Sequence, residues 1–276
     1  MGAFVTYLHA AARKPLWVEY TQYAGRLLAN GAVPWMDTAA YVAWRRKAQG
    51  LLKSDVVGLP LTPFTEVWLD SYPALRAAMA AKSRATFPLK TLLSDEKLRA
   101  HLIELVQGLR AALPDAPLVL ALPSPRAWVG LAFEQAHGQA KTASDDEADS
   151  VSVFIADFLR IFGESGVDAL LLQERPEFTP ASGHEFDCYQ SVFNVAAFFR
   201  WDIGLQFANA DHYSGDLPKG CSFAIAPKLS VEKPADFLPV VDAWPEMAHP
   251  GAAFKFVEIP ADAQPEAVLE RLAALR

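Results

Sequence analysis

The chain has 276 residues, of which 52% are hydrophobic and 21% are charged, so it can bury a large core and is not a disordered chain. Its formal net charge of -7 argues against a general nucleic-acid-binding protein, which normally carries a basic surface. With two cysteines and no run of about 18 apolar residues, the sequence predicts neither a disulfide scaffold nor a membrane span, and we expect a cytoplasmic protein.

Helical patterns recur along the chain, and an N-terminal segment, residues 1–50, leads into the main fold. Asp37 is a good N-cap for a helix over residues 37–52, and Ser94-Asp95-Glu96 opens a second helix that Pro114 ends. The polar stretch 138–150 is predicted to be a loop that leads into a third helix. A helix over residues 187–200 and a closing helix after Pro265 complete the set.

Six short apolar runs end in polar or proline residues, and helical patterns separate most of them. Nearly continuous hydrophobicity is typical of parallel strands that are covered on both faces. The runs are residues 56–60, 118–123, 169–174, 203–209, 222–227 and 254–260.

This alternation predicts an α/β protein, a single (β/α)8 TIM-barrel-like domain over residues 1–276. Such a barrel is typically about 250 residues long. It needs two more strands, for which residues 16–20 and 86–92 are the candidates, and an atypical or incomplete barrel stays open. An open doubly wound sheet is the alternative, but no Gly-x-Gly-x-x-Gly follows any predicted strand.

The residues just past the strand ends of a barrel face one mouth, where the chemistry is usually done. Glu174 ends an apolar run, so we expect its carboxylate to point into that mouth; the alternative is an ion pair with Arg175. Arg126 follows a turn with two prolines, and its planar fork suits a carboxylate or another anion. The alternative for Arg126 is a clamp on the end of a helix.

Polar residues also follow later strands. Asp211 stands next to His212, whose imidazole titrates near neutrality and suits acid–base work; a polar surface histidine is the alternative. The residues predicted to bind substrate are Arg26, Gln173, Asn209, Asp211 and Lys228.

A zinc site is a further prediction to consider. Zinc in proteins is held by three or four N, S or O ligands. His212, Cys221 and Glu174 are the ligands that the predicted strand ends offer. The alternative is that no metal binds and that both cysteines are small buried apolar residues.

Three short segments carry a family resemblance. They are Pro15-Leu16-Trp17 with Gln22-Tyr23-Ala24-Gly25-Arg26, the stretch 109–125, and Gly166-Val167-Asp168-Ala169 through Glu174-Arg175-Pro176. Over residues 14–210 the chain resembles the superfamily that joins uroporphyrinogen decarboxylase with cobalamin-independent methionine synthase and the corrinoid methyltransferases. No Asp stands at residues 58–62, and only His212 stands where the methyltransferases carry a His-x-Cys pair, so we expect a divergent member with changed chemistry.

The resemblance implies methyl transfer or demethylation on a small aromatic or carboxylated substrate. Glu174 would position or deprotonate the substrate, Arg126 or Arg26 would hold an anionic group, and His212 would act as acid/base or metal ligand. A corrinoid or folate methyl carrier, and a corrinoid protein as partner, are implied in the same way.

Two alternatives stay open. One is a cofactor-free decarboxylase or lyase, in which Arg26, Arg126 and Lys228 neutralise carboxylates and His212 protonates the carbanion. The other is a non-catalytic binding subunit. The sequence leaves the substrate, the cofactor and the oligomeric state open.

Overall fold

The computed structural model describes residues 2–176, 178, 182–207, 218–225, the backbone of 238–240, and 254–276. The α-helices are α1 Ala3–Ala10, α2 Thr21–Ala29, α3 Thr38–Leu52, α4 Leu61–Ser71, α5 Pro73–Met79, α6 Phe87–Leu93, α7 Glu96–Ala112, α8 Pro125–His137, α9 Asp145–Leu159, α10 Gln190–Phe199 and α11 Pro265–Leu275. The strands are β1 Leu16–Glu19, β2 Val57–Pro60, β3 Leu118–Pro123, β4 Ala169–Gln173, β5 Asp202–Gln206, β6 Phe223–Ile225, β7 Leu238–Val240 and β8 Lys255–Glu258. Two 3-10 helices span Arg160–Phe162 and Gly183–Tyr189.

The strands form two parallel sheets. β1 pairs with β8, and β2 to β7 pair with one another in sequence order. β1 also lies beside β2, because the backbone N–H of Asp55 donates to the carbonyl of Leu16 at 2.8 Å and that of Val18 donates to Ser54 Oγ at 2.9 Å. The chain is therefore an α/β protein with parallel sheets. Within the described residues, strand pairing does not run continuously around all eight strands.

Alternation along the strands divides the core into an outer and an inner part. In β3, for example, Leu118, Leu120 and Leu122 pack against the helices, whereas Val119 and Ala121 face the interior that the two sheets enclose. We call this interior the inner core. Its main members are Phe4, Trp17, Val119, Ala121, Ala169, Leu171, Phe223, Ile225, Phe254 and Phe256.

Helix α1 covers the inner core at the amino ends of the strands. The ring of Phe4 is fully buried, 5.0 Å from the ring of Phe223. Asp202, the first residue of β5, accepts hydrogen bonds from the backbone N–H groups of Gly2 at 3.0 Å and Val5 at 2.8 Å, groups that a helix start leaves without partners. Helix α1 therefore covers the inner core from the amino ends of the strands.

Most of the predicted elements are confirmed. The six apolar runs contain β2, β3, β4, β5, β6 and β8, and residues 16–20 contain β1. The helix after Asp37 begins as predicted, because the Asp37 carboxylate accepts from the N–H of Ala40 at 2.9 Å. The second helix also begins within the predicted segment, since the Asp95 carboxylate accepts from the N–H of Leu98 at 2.7 Å. Among the described residues, no helix combines the length and the apolar character that crossing a membrane requires.

The strand predicted over residues 86–92 is wrong. This segment is helix α6, in which Pro88 stands in the first turn, where it is well tolerated, and Leu89, Leu92 and Leu93 bury one side. Strand β7 was missed instead, because Pro239 lies in its middle and a proline argues against a strand in a sequence pattern.

Replacing Asp202 with Ala should release α1 from the inner core. The change leaves the N–H groups of Gly2 and Val5 without acceptors, so we expect the free energy of unfolding in urea to fall by about 1–3 kcal/mol. The matched control is Asp157→Ala, which removes a carboxylate that is 62% exposed and paired with Arg99; this should cost at most about 1 kcal/mol. Equal losses in the two variants would contradict the role of Asp202.

Candidate functional site

Two cavities lie at the carboxyl ends of the strands, on opposite faces of the end of β4. The first, which we call the strand-end cavity, has a volume of about 330 Å³ and lies above the inner core. Its apolar floor consists of Trp17, Ala121, Leu171 and Phe256, and its polar rim includes Glu19, Gln173, Gln206 and Glu258. These rim residues are the last residues of β1, β4, β5 and β8.

The rim of the strand-end cavity is held by contacts between neighbouring strands. Gln173 Nε2 donates to Gln206 Oε1 at 2.9 Å, so the amides of β4 and β5 are linked. Glu19 and Glu258 are register partners in the parallel pair of β1 and β8, and both line the cavity. Two carboxylates therefore stand side by side at one edge of the cavity.

The second cavity, which we call the side cavity, has a volume of about 250 Å³. The start of α8, the segment 140–143 and the residues after β4 surround it. Its lining includes three cations, one aromatic ring and one carboxyl group: Arg126, Lys141, Arg175, Phe178 and Glu174.

Glu174 is the buried acidic group of the side cavity, with 7% of its surface exposed. Ser124 Oγ donates to one carboxyl oxygen at 2.7 Å, and the hydroxyl of Tyr189 donates to the other at 2.8 Å. Ser124 is also the N-cap of α8, since its Oγ accepts from the N–H of Ala127 at 3.2 Å. The start of α8 and the 3-10 helix before α10 thus hold the carboxyl group in place.

Burial governs the ionisation of Glu174. Removal from water raises the pKa of its carboxyl group from 4.5 to about 7, and the hydrogen bonds from Ser124 and Tyr189 and the charge of Arg126 only partly oppose this. The hydroxyl of Tyr189 cannot take over the titration near neutrality, because burial and the neighbouring Glu174 raise its pKa well above 10. Glu174 is therefore near half-protonation at neutral pH.

Arg126 lies at the same cavity and also braces its wall. The guanidinium group forms an ion pair with Asp145 and donates from Nη2 to the carbonyl of Glu185 at 2.8 Å. Its carbon Cζ stands 4.8 Å from the ring centre of Phe178. Burial opposes its charged form, but the bond to Asp145 and the nearby groups outweigh that and raise its pKa. Arg126 is thus a fixed positive charge beside Glu174.

The structure brings together two of the predicted catalytic residues, Glu174 and Arg126, in the side cavity. The predicted direction of Glu174 is wrong, since its carboxyl group contacts Ser124 and Tyr189 on the helix side of β4, and Gln173 lines the strand-end cavity instead. Arg26 belongs to neither lining; it is exposed and donates to the carbonyl of Ala263 at 2.7 Å. Asn209, Asp211, His212 and Lys228 lie outside the described residues.

Two of the three predicted zinc ligands are not brought together, and the third, His212, lies outside the described residues. Cys221 precedes β6, at the amino ends of the strands, whereas Glu174 follows β4 at the carboxyl ends. The Cys221 thiol donates to the carbonyl of Phe223 at 3.1 Å, and burial raises its pKa to about 12, which disfavours the thiolate that zinc binds. No group of three His, Cys, Asp or Glu side chains in the described part of the chain has the arrangement of a metal site.

The sequence analysis missed several residues of the two cavities. Glu19 and Glu258 stand near the ends of predicted strands, as Glu174 does, so a similar signal could have identified them. Ser124 and Tyr189 carry no such signal, because only the folded chain brings them to Glu174 across separations of 50 and 15 residues.

No protein-family model matches the chain, and no curated protein matches it. A solved structure, a methyltransferase from Methanosarcina mazei, is similar over 74% of this chain and 67% of that one, with a TM-score of 0.42 and 14% sequence identity. A likeness at this level says nothing about function.

The Glu174→Gln variant should change how stability depends on pH. The folded-state pKa lies above the ordinary value, so the unfolded chain gives up its proton first, and the free energy of unfolding of the natural chain falls as the pH rises from about 4.5 to about 7. Glutamine lacks this ionisation. The stability of the variant relative to the natural chain should therefore rise over this interval, by up to about 3 kcal/mol.

Urea unfolding at a series of pH values measures the effect, and groups common to both proteins cancel in the difference. Glu164→Gln, at an exposed position, serves as the control and should show no such trend. A Glu174→Gln difference that does not vary with pH would show that Glu174 ionises like an ordinary surface glutamate.

Proposed function

We propose that the chain is an enzyme that moves a proton to or from a small carboxylated substrate bound in the side cavity. The observation that carries this proposal is the Glu174 carboxyl group, buried beside the fixed charge of Arg126 and bordering a cavity of about 250 Å³. A general acid or base works best when its pKa is close to the working pH. A carboxyl group with a pKa of about 7 meets that condition both as an acid and as a base.

The charge of the lining favours an anionic substrate. Arg126, Lys141 and Arg175 all border the side cavity, and their acidic partners Asp145, Glu147 and Glu134 stand outside its lining. A substrate carboxylate can therefore accept charge-assisted hydrogen bonds from this side of the cavity. Phe178 offers a flat apolar surface, which suits an aromatic or other apolar body attached to the carboxylate.

Decarboxylation, or a related lyase reaction, is the reaction that this geometry favours. The carbon–carbon bond breaks, carbon dioxide leaves, and the electron pair stays on the substrate carbon, which takes the proton from Glu174. The cations would hold the substrate in place, and no further reactant is needed. Glu174 would regain its proton from solvent before the next turnover.

Methyl transfer or demethylation is the second candidate. It is supported by the pKa of about 7, at which the Glu174 carboxylate can also act as a base. Here the ionised carboxylate removes the proton from the substrate atom that accepts the methyl group. The reaction needs a methyl donor, for which a corrinoid or folate carrier, with a corrinoid protein as partner, is the candidate class. His212, Asn209, Asp211 and Lys228 remain proposed members of the site in either reaction.

The (β/α)8 barrel and the family likeness are part of the same proposal. The order of the parallel strands, the contact of β1 with β2 and the shared inner core support a barrel of eight strands. The short motifs support a divergent member of the superfamily of uroporphyrinogen decarboxylase and methionine synthase.

Glu174→Gln should slow turnover strongly and leave substrate binding in place. Small aromatic and aliphatic carboxylic acids are incubated with the protein, with and without a corrinoid or folate methyl donor, and mass spectrometry follows the loss of carbon dioxide or the transfer of a methyl group. We expect kcat to fall by about a hundredfold or more, because the acid–base group is lost. Arg126→Lys, which loses the planar fork but keeps the charge, should raise KM about tenfold. The exposed Arg46→Lys change is its control.

The pH profile separates the two reactions. If Glu174 gives its proton to a carbanion, kcat falls as the pH rises through about 7; if it removes a proton, kcat rises through the same pH. Turnover that Glu174→Gln and Arg126→Lys leave unchanged would contradict the proposal. Binding of carboxylic acids without any turnover would instead favour the non-catalytic binding subunit.

A further inference from the structure

We propose that the groove between α9 and α10 is the contact surface of a dimer, in which two copies of this chain meet across a two-fold axis. We call it the helix groove. Its volume is about 690 Å³, and its described lining shares no residue with the strand-end cavity or the side cavity. A dimer formed here neither requires nor excludes the proposed reaction.

Two helical stripes border the helix groove. One runs from Val153 to Arg160 along α9 and the 3-10 turn that continues it, and the other runs from Ser191 to Phe198 along α10. In both stripes the lining residues follow the spacing i, i+3, i+4 and i+7, which places them on one face of the helix. A helix that binds in the groove of a partner presents its contact residues at this spacing. Helix α10 can therefore form a wall of its own groove and also enter the groove of a second copy.

The helix groove carries the two most exposed large apolar side chains of the described residues. Phe198 is 79% exposed and Val153 is 54% exposed, and both line the groove. Ala156, Val195 and Phe199, which are buried or half-buried, complete its apolar lining. Single exposed apolar residues are ordinary, but apolar residues that share one groove are typical of a contact surface.

The ring of Phe198 is supported by its neighbours. It meets the ring of Phe199 edge to face, with ring centres 4.9 Å apart. Phe199 in turn stacks on Trp201 at 4.8 Å and lies against Gly163, where a Cβ atom would collide with its ring. Because this support exists before any partner binds, Phe198 loses little conformational freedom in a contact. Rigid aromatic side chains of this kind often dominate the binding energy of protein–protein interfaces.

A projecting ring and an apolar groove on the same face make the surface complementary to itself. The volume of the groove is within the range that holds small organic molecules, so it has room for a phenyl ring. When a two-fold axis relates two such faces, Phe198 of each copy can enter the groove of the other. Since the same patch is used on both copies, the contact closes after two copies and no longer assembly forms.

The charges of the helix groove also match a second copy. Asp157 and Arg160 are the charged residues of its described lining, one of each sign, although the whole chain carries a net charge of -7. Asp157 is 62% exposed and pairs with Arg99 at 2.8 Å, whereas Arg160 is exposed and forms no ion pair within the described part of the chain. A two-fold axis can bring Arg160 of one copy to Asp157 of the other. A partner with charge of a single sign would instead meet one repulsive contact for each attractive one.

The size of the face sets the strength of the dimer. Helix α9 has 15 residues and α10 has 10. Side by side, two such helices present a face of about 20 Å by about 20 Å, or about 400 Å² per copy. A contact of about 800 Å² in total is smaller than most permanent interfaces and is typical of weak, reversible ones. We therefore expect monomers and dimers to exchange at micromolar concentrations.

Analytical ultracentrifugation of the full chain tests the dimer. We expect the sedimentation coefficient to rise from that of a monomer to that of a dimer as the protein concentration increases from low micromolar to several hundred micromolar. Phe198→Ser should raise the dissociation constant about tenfold or more, because a central aromatic contact is lost. Leu269→Ser is the matched control. Leu269 is 47% exposed on α11, outside the groove, and its replacement should leave the dissociation constant unchanged.

Charge reversal tests the two-fold arrangement. Arg160→Glu places acidic side chains opposite each other in both halves of the contact, and Asp157→Arg places basic ones there, so each variant alone should dimerise at least about tenfold more weakly. An equimolar mixture of the two variants should dimerise again, because opposite charges then face each other in both halves. Arg46→Glu, at an exposed position on α3, is the control for the change of net charge and should have no such effect.

These variants alter exposed side chains, so they should keep the fold, which the urea-unfolding midpoint verifies at low protein concentration. A natural chain that stays monomeric at every concentration overturns the proposal and leaves the groove to a different occupant, such as a helix of another protein. The proposal is also overturned if Leu269→Ser weakens the dimer as much as Phe198→Ser does, or if the mixture of the two charge variants stays monomeric.

Discussion

Consecutive side chains in a strand point to opposite faces, and at the carboxyl end of β4 this constraint separates two kinds of surface. Gln173 joins the amide of Gln206 above the inner core, whereas Glu174 turns to the helix layer, where water is excluded. Burial then raises the pKa of the Glu174 carboxyl group towards neutrality. A shift of β4 by one residue would exchange the two side chains, so both the buried carboxyl group and the rim of the strand-end cavity depend on the register of β4.

A buried carboxyl group is tolerated only where hydrogen bonds compensate for the lost water. Ser124 and Tyr189 supply them from the start of α8 and from the segment before α10, and Ser124 does so while it caps α8. The elements that stabilise the fold are therefore the same ones that position Glu174. Arg126 has a similar double role, because its ion pair with Asp145 joins the starts of α8 and α9 while its charge stands beside the carboxyl group.

Much of the fold follows from sequence patterns, because continuous apolar runs such as residues 118–123 have few structures open to them besides a covered parallel strand. Because these runs are apolar throughout, the sequence does not tell which residues face the inner core and which face the helices. Ala169-Leu170-Leu171-Leu172 is apolar on both faces, so nothing in the run tells whether Gln173 or Glu174 points inward. The sequence predicts at which end of the sheet Glu174 lies. It does not predict to which face of the sheet its side chain points. Its contact with Tyr189 depends on the path of the loop between them, for which no local pattern exists.

The proposed function requires that Glu174 exchange a proton near neutral pH in a cavity that binds anions. The ¹³C resonance of its side-chain carboxyl group, followed by NMR through a pH titration with and without benzoate, tests this most directly. We expect a midpoint at about 7, which moves upward when benzoate binds, because a second negative charge disfavours the ionised carboxylate. A midpoint near 4.5 that benzoate leaves unchanged would show that Glu174 is an ordinary carboxyl group with no anion site beside it.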